Sequence, residues 1–255
     1  MTDSEGSGGF DHLEAAWRLR DDAFEDAIFR GVDISKRNRR YNENFSPDPQ
    51  VWLTNKRMSQ TEVSLRLGRF LLESPIVNGT VMVTLAGYEL TRTEHPQFPV
   101  RRYLVERLGF APKVNRPKKW RGHYNRPGID RTLFVTFNVH AGHLSAPLTT
   151  GGRLIVFVSA GPTDSKRGSI EHRLLHSAIG RAVAWRGAKP TDEIAVCVPR
   201  SAPFRRVIDD FQKADRLQRL GLHLLTVDRI TGTVSGMGAL ETICNRKADP
   251  SLRSG

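Results

Sequence analysis

The stretch from 153 to 228 alternates short apolar runs with long amphipathic ones, and that alternation leaves few folds open. RLIVFVSA (153–160), EIAVCVP (193–199) and LHLLTVD (222–228) are apolar almost throughout, as strands buried on both faces are. Between them lie SIEHRLLHSAIGRAVAWRG (169–187), bounded by Ser169 and Gly187, and APFRRVIDDFQKADRLQRLG, which runs to Gly221. Both read as helices. Strand, helix, strand, helix, strand calls for a sheet covered by helices.

Upstream, MSQTEVSLRLGRFLLES places Ser59 as an N-cap with Glu62 three residues on, the pattern of a capping box. Val63, Leu67, Phe70 and Leu71 then form one apolar face. TVMVTL (80–85) reads as a strand after the turn at Asn78-Gly79, and Pro99 opens a short helix, VRRYLVERLG, that ends at Gly109. TLFVTFNVH (132–140) is a further strand, joined to 153–160 by AGHLSAPLTTGG and expected to pair with it as an antiparallel hairpin. The expectation is an α/β fold, a mixed central sheet flanked by helices.

The chain has 255 residues, enough for one full core with an appendage. Residues 1–50 read as an N-terminal helix followed by a basic linker. In the helix, Leu13, Ala16, Trp17, Phe24, Ala27 and Ile28 recur at helical spacing within 10–30. The core is placed at 51–240 and a flexible tail at 241–255.

The charge balance points to a partner class. Lys and Arg number 39 against 27 Asp and Glu, a net charge of +12, which suits work beside phosphates. KRNRRY (36–41) carries Lys36, Arg37, Arg39 and Arg40 with no acid. KVNRPKKWRGHYNR (113–126) holds Arg116, Lys118, Lys119, Arg121 and Arg126 after Lys113, again with no acid, and Trp120, His123 and Tyr124 among them. Cations fix phosphates while flat rings stack on bases, so this stretch is a candidate nucleic-acid contact loop, with Pro117 and Pro127 against its being a helix. Arg101, Arg102 and Arg107, and Arg205 with Arg206, lie near helix starts, where phosphates or solvent would both be served.

Other chemistries find little here. Cys197 and Cys244 are far apart in sequence, so neither a disulfide framework nor a cysteine zinc site is expected. No apolar stretch approaches the length of a membrane helix and the acidic start lacks the pattern of a secretion signal, which gives a cytoplasmic expectation. No Walker loop, dinucleotide fingerprint or nucleophile elbow occurs, so no nucleotide cofactor is expected. His172 and His176 share a helix face and His140 and His143 flank a strand end, but EHRLLH is not the zinc-protease HExxH.

The order helix, strand, short helix, strand, strand, helix, strand, helix, strand resembles the core of the restriction-endonuclease-like, PD-(D/E)xK, superfamily over roughly 58–236. AIGRAVAWR (178–186), IAVCVP and FRRVIDDFQKADRLQRLGLHLLTVD carry the likeness in texture. The family places a helix, then three strands in meander, then a helix and a further strand. It binds Mg²⁺ through an Asp at the start of one strand and an Asp or Glu near the end of its hairpin partner, with a Lys two residues on that serves the attacking water. Carried onto this chain, the resemblance implies Asp130 and Asp164 as metal-binding carboxylates and Lys166 as the lysine. Asp130 and Asp164 are symmetric about Pro147, so a hairpin would bring them to one end. Glu62, or Glu89 just after strand 80–85, would add a further oxygen ligand.

The departure lies at FVSAG, where the family's strand-borne acid and lysine give way to Ser159 and Ala160, and Asp164 follows in a loop. The resemblance and this departure together imply two expected functions: a Mg²⁺-dependent DNA endonuclease of a restriction or defence system, or a catalytically inactive nucleic-acid-binding or assembly subunit of a larger complex. DNA is favoured over RNA, and a homodimer or partner subunit is expected. A protein-interaction domain whose charge meets an acidic partner is the third choice.

Overall fold

The computed structural model describes residues 57–86, 98–114, 120–138, 143–163 and 169–248. The elements are β1 (Arg57–Met58), α1 (Gln60–Glu73), β2 (Val81–Ala86), α2 (Val100–Arg102), β3 (Ala111–Pro112), β4 (Gly122–Arg126) and β5 (Ile129–Asn138). After them come β6 (His143–Pro147), β7 (Arg153–Val158), β8 (Gly161–Pro162), α3 (Ser169–Val183), β9 (Glu193–Pro199) and α4 (Ala202–Gln212). The last are α5 (Asp215–Gln218), β10 (His223–Val227), β11 (Val234–Ser235) and α6 (Gly238–Ala248). A π-helical turn, Tyr103–Arg107, continues α2.

Among the described residues, nine strands form one mixed sheet in the order β11-β10-β9-β7-β6-β2-β5-β4-β3, while β1 and β8 pair separately. β7, β9 and β10 run parallel, joined by α3 and by α4 with α5, as the alternation of apolar and amphipathic runs requires. β6 is antiparallel to both β7 and β2, and β5 is parallel to β2. One residue row, Val135–Val83–Leu144–Val156–Ala195, crosses five strands, and every member is fully buried. It faces α1 and α6, whose Leu67, Leu71 and Leu240 belong to the same core. On the other side Ile155, Phe157, Val196 and Val198 pack against Leu175 and Ile179 of α3 and Phe204 and Val207 of α4. The mixed α/β sheet flanked by helices is as expected.

The hairpin is not. Residues 132–140 and 153–160 were expected to be antiparallel neighbours, yet β5 and β7 are separated by β2 and β6 and run in the same direction. The connection AGHLSAPLTTGG contains a strand of its own, β6, whose His, Ser and Pro conceal it in sequence. The true partner of β7 is β6, with Leu144 opposite Val156. Two further differences are local. The helix expected to run to Gly221 breaks after Gln212, and the expected tail at 241–255 begins inside α6, where Leu240 and Cys244 are buried.

Candidate nucleic-acid interface and buried carboxylate cluster

The most heavily bonded of the expected carboxylates is Glu62. Ser59 caps α1 as expected, its Oγ accepting from Glu62 N–H at 3.0 Å. The Glu62 side chain does not return to the cap to close the box. It turns inward, 3% exposed, and accepts from Arg229 Nε and Nη2 at 3.0 Å each. Tyr103 Oη donates to it at 3.3 Å, and Arg66 Nε lies 3.5 Å from the same carboxylate. Burial first, and the neighbouring Glu62 charge second, push the Tyr103 hydroxyl well above the usual phenol range, so it stays a donor. A planar guanidinium matched to both oxygens is the strongest common form of ion pair. It clamps α1 to the turn after β10.

An Mg²⁺ site is a poor fit to this arrangement. A hard divalent cation needs several oxygen ligands, and both Glu62 oxygens already accept hydrogen bonds. Asp130 is exposed on the start of β5. The row Phe134–Met82–Ser145–Ile155 fixes its level: lying four residues before Phe134, Asp130 is level with Gly151 and so seven residues short of Val158. At 3.3 Å per residue that is about 23 Å along the strands. The symmetry of Asp130 and Asp164 about Pro147 therefore does not reflect a pairing. Asp164, Lys166 and Glu89 lie outside the described residues. Among the described residues no group of three or more His, Cys, Asp or Glu could hold a metal ion.

The histidines are divided between surface and packing. His172 and His176 are exposed on α3 with ring centres 6.0 Å apart. His143 instead packs at 5.1 Å from the Trp185 ring and 6.3 Å from Phe157. His140 lies outside the described residues. A carboxylate the sequence reading missed is Glu171, fully buried in the first turn of α3 with neither oxygen hydrogen-bonded among the described residues. Its one signal was position, since it shares the apolar stripe of Leu175 and Ala178.

Of the basic stretch 113–126, residues 122–126 form β4, next to the short outer strand β3. Lys113 and His123 are exposed, and the His123 ring lies 4.6 Å from Phe134. The Arg121 guanidinium sits 4.5 Å over the Phe137 ring. Trp120 is half-buried, packed on the core and 6.1 Å from Phe137. Tyr124 is 1% exposed, and its hydroxyl donates to the Trp120 carbonyl at 2.6 Å. Tyr124 is thus a core residue and not a free platform for a base. Arg126 pairs with Glu73 of α1. Arg116, Lys118 and Lys119, like Lys36, Arg37, Arg39 and Arg40, lie outside the described residues. Arg102 is paired with Glu106 at 2.8 Å, whereas Arg205 and Arg206 are exposed in the first turn of α4, capped by Ser201.

No family model, curated protein or solved structure matches the chain. No helix among the described residues is long and apolar enough to cross a membrane.

Proposed function

We propose that the chain is a nucleic-acid-binding protein, for DNA before RNA, built on a restriction-endonuclease-like core that does not cut by a strand-borne acid and lysine. One observation carries the proposal. α1, the antiparallel neighbours β2, β6 and β7, then α3 and the parallel β9 follow the family's order of helix, three-strand meander, helix and strand. Residues 87–138 then become an insertion between the first two meander strands, adding β3, β4 and β5 at the sheet edge. With the meander so placed, the hairpin of interest is β6–β7. His143 begins its first strand and Val158-Ser159 ends its second, where the family carries carboxylates and a lysine. The net charge of +12 supplies the attraction for a polyanion.

A specific observation keeps the endonuclease as the second choice. Gly161 pairs with Met58 and Pro162 with Arg57, so the chain entering 164–168 leaves from beside the start of α1, the helix that carries Glu62. Asp164 and Lys166 would then act without Asp130.

Duplex binding measured by fluorescence anisotropy over a salt series, beside plasmid cleavage with Mg²⁺, Mn²⁺ or EDTA, tests both. Affinity that falls steeply with salt and no cutting is the expected result. Metal-dependent cutting that Asp164→Ala abolishes would replace the proposal with the endonuclease. Indifference to DNA and RNA alike would remove both and favour an acidic protein partner.

A further inference from the structure

Among the described residues, helices cover one half of the sheet on a single side. The row His123–Phe134–Met82–Ser145–Ile155 crosses β4, β5, β2, β6 and β7, and directly paired side chains share a face. Ile155 lies beneath α3 and α4, so His123, Phe134 and Met82 face that same side. α3 packs chiefly on β7, β8 and β9, whereas α1 packs on β2 and β5 from the opposite side. On that face Met82, Phe134 and Thr136 are partly exposed, while the shorter Thr84 and Ser145 are buried. β2 and β5 are a parallel pair, and parallel strands are ordinarily covered on both faces.

The uncovered strip has the dimensions of one helix. From β6 to β4 there are three strand spacings, about 14 Å, against a helix diameter of about 10–12 Å. Trp185, 38% exposed and stacked near His143 at the start of β6, walls one side.

We propose that residues 10–30 of this same chain dock there as an amphipathic helix. Leu13, Trp17, Phe24 and Ile28 recur at spacings of four, seven and four, one continuous apolar stripe. As a helix the segment would be about 31 Å long, close to the roughly 33 Å of the ten-residue β5. It carries six Asp and Glu against three Arg, a net negative charge in a chain otherwise strongly positive. Lys113 beside β4 and Arg186 beyond Trp185 are exposed at the two borders, and Asp130, at the tip of the β4–β5 hairpin, is the one acid on those two strands. The connecting residues 31–56 can span up to about 86 Å, ample to reach across the sheet from β1. The proposal is independent of what the protein binds.

The test is a photo-crosslinker, p-benzoylphenylalanine, in place of Phe134 in the full-length protein, with the adducts mapped by mass spectrometry. The expected result is an intrachain adduct within 10–30 in the monomer, lost in the Trp17→Glu/Phe24→Glu variant while the thermal melt of the core persists. Adducts only to other segments, adducts between two chains, or an adduct to 10–30 that survives the double substitution would overturn it. An adduct to added single-stranded DNA in place of 10–30 would overturn it as well.

Discussion

Glu62 and Arg229 are 167 residues apart in sequence and meet as a buried, two-bonded ion pair, with Nε and Nη2 each 3.0 Å from a carboxylate oxygen. The pair joins the first turn of α1 to the turn leaving β10, so it ties the two ends of the core together. Removing either partner takes the two-bonded counter-charge from a buried ion, and without Arg229 the Glu62 carboxylate keeps Tyr103 and the more distant Arg66. Arg229→Met or Glu62→Gln alone is expected to cost about 3–5 kcal/mol, since breaking a buried pair costs far more than replacing it whole. The double variant should cost much less than the sum of the singles. Urea denaturation of the four proteins measures the coupling, and additive losses would mean that the pair contributes nothing as a pair.

Gly68 sits on the face of α1 that meets the sheet. A Cβ there would lie 2.9 Å from Val83 Cγ2 and 3.1 Å from Leu133 Cδ1. Gly68→Ala would gain about 1 kcal/mol of helix propensity, against about 1–3 kcal/mol for overpacking a well-filled core. Val83 and Leu133 are fully buried and have little room to move, so crowding should win. A lower Tm is expected, and a raised Tm would show that α1 lies looser on β2 and β5 than these distances imply.

The parts of this fold that were legible in sequence are those with local causes. β9 was readable residue for residue because EIAVCVP is apolar and bounded by polar turns, and the Ser59 cap because Ser-x-x-Glu is a local motif. β6 was not, since HLSAP lacks β-branched residues, and that one omission changed the sheet order, the hairpin and the placing of Asp130. β4 was hidden likewise: GHYNR is a polar strand next to the sheet edge with a single buried side chain, Tyr124, and its charge suggested a loop. The partner of Glu62 had no local signal at all. Capping-box spacing explained Glu62 well enough, and only the folded chain brings Arg229 to it.

Tyr124 tests whether the basic edge uses this ring for binding or for packing. Its side chain is buried against the core, and its hydroxyl bonds to the Trp120 carbonyl. Tyr124→Phe is expected to cost about 1 kcal/mol for the lost hydrogen bond and to leave nucleic-acid affinity unchanged. Tyr124→Ala should cost about 3–5 kcal/mol, as for other large aromatic truncations in cores. A large fall in affinity for Tyr124→Phe with stability intact would instead place the ring against the ligand.

His143 gives the fold a pH dependence with a definite sign. Burial first, and the positive charge of Arg153 second, hold its pKa below the ordinary imidazole range, while in the unfolded chain it titrates near about 6.5. Below that value the unfolded chain takes up a proton that the folded chain resists. The stability due to the neutral ring is therefore complete above about pH 6.5 and is lost as pH falls towards the folded pKa, with a slope of at most about 1.4 kcal/mol per pH unit for one group. His143→Phe keeps a ring between Phe157 and Trp185 and removes the titration. Other groups also titrate between pH 5 and 7.5, so the informative quantity is the difference between wild type and variant. That difference, from urea midpoints followed by tryptophan fluorescence, should grow in favour of the variant as pH drops below about 6.5. Parallel curves would mean that His143 takes up its proton as readily folded as unfolded, and that the Phe157–Trp185 contact does not exclude its charge.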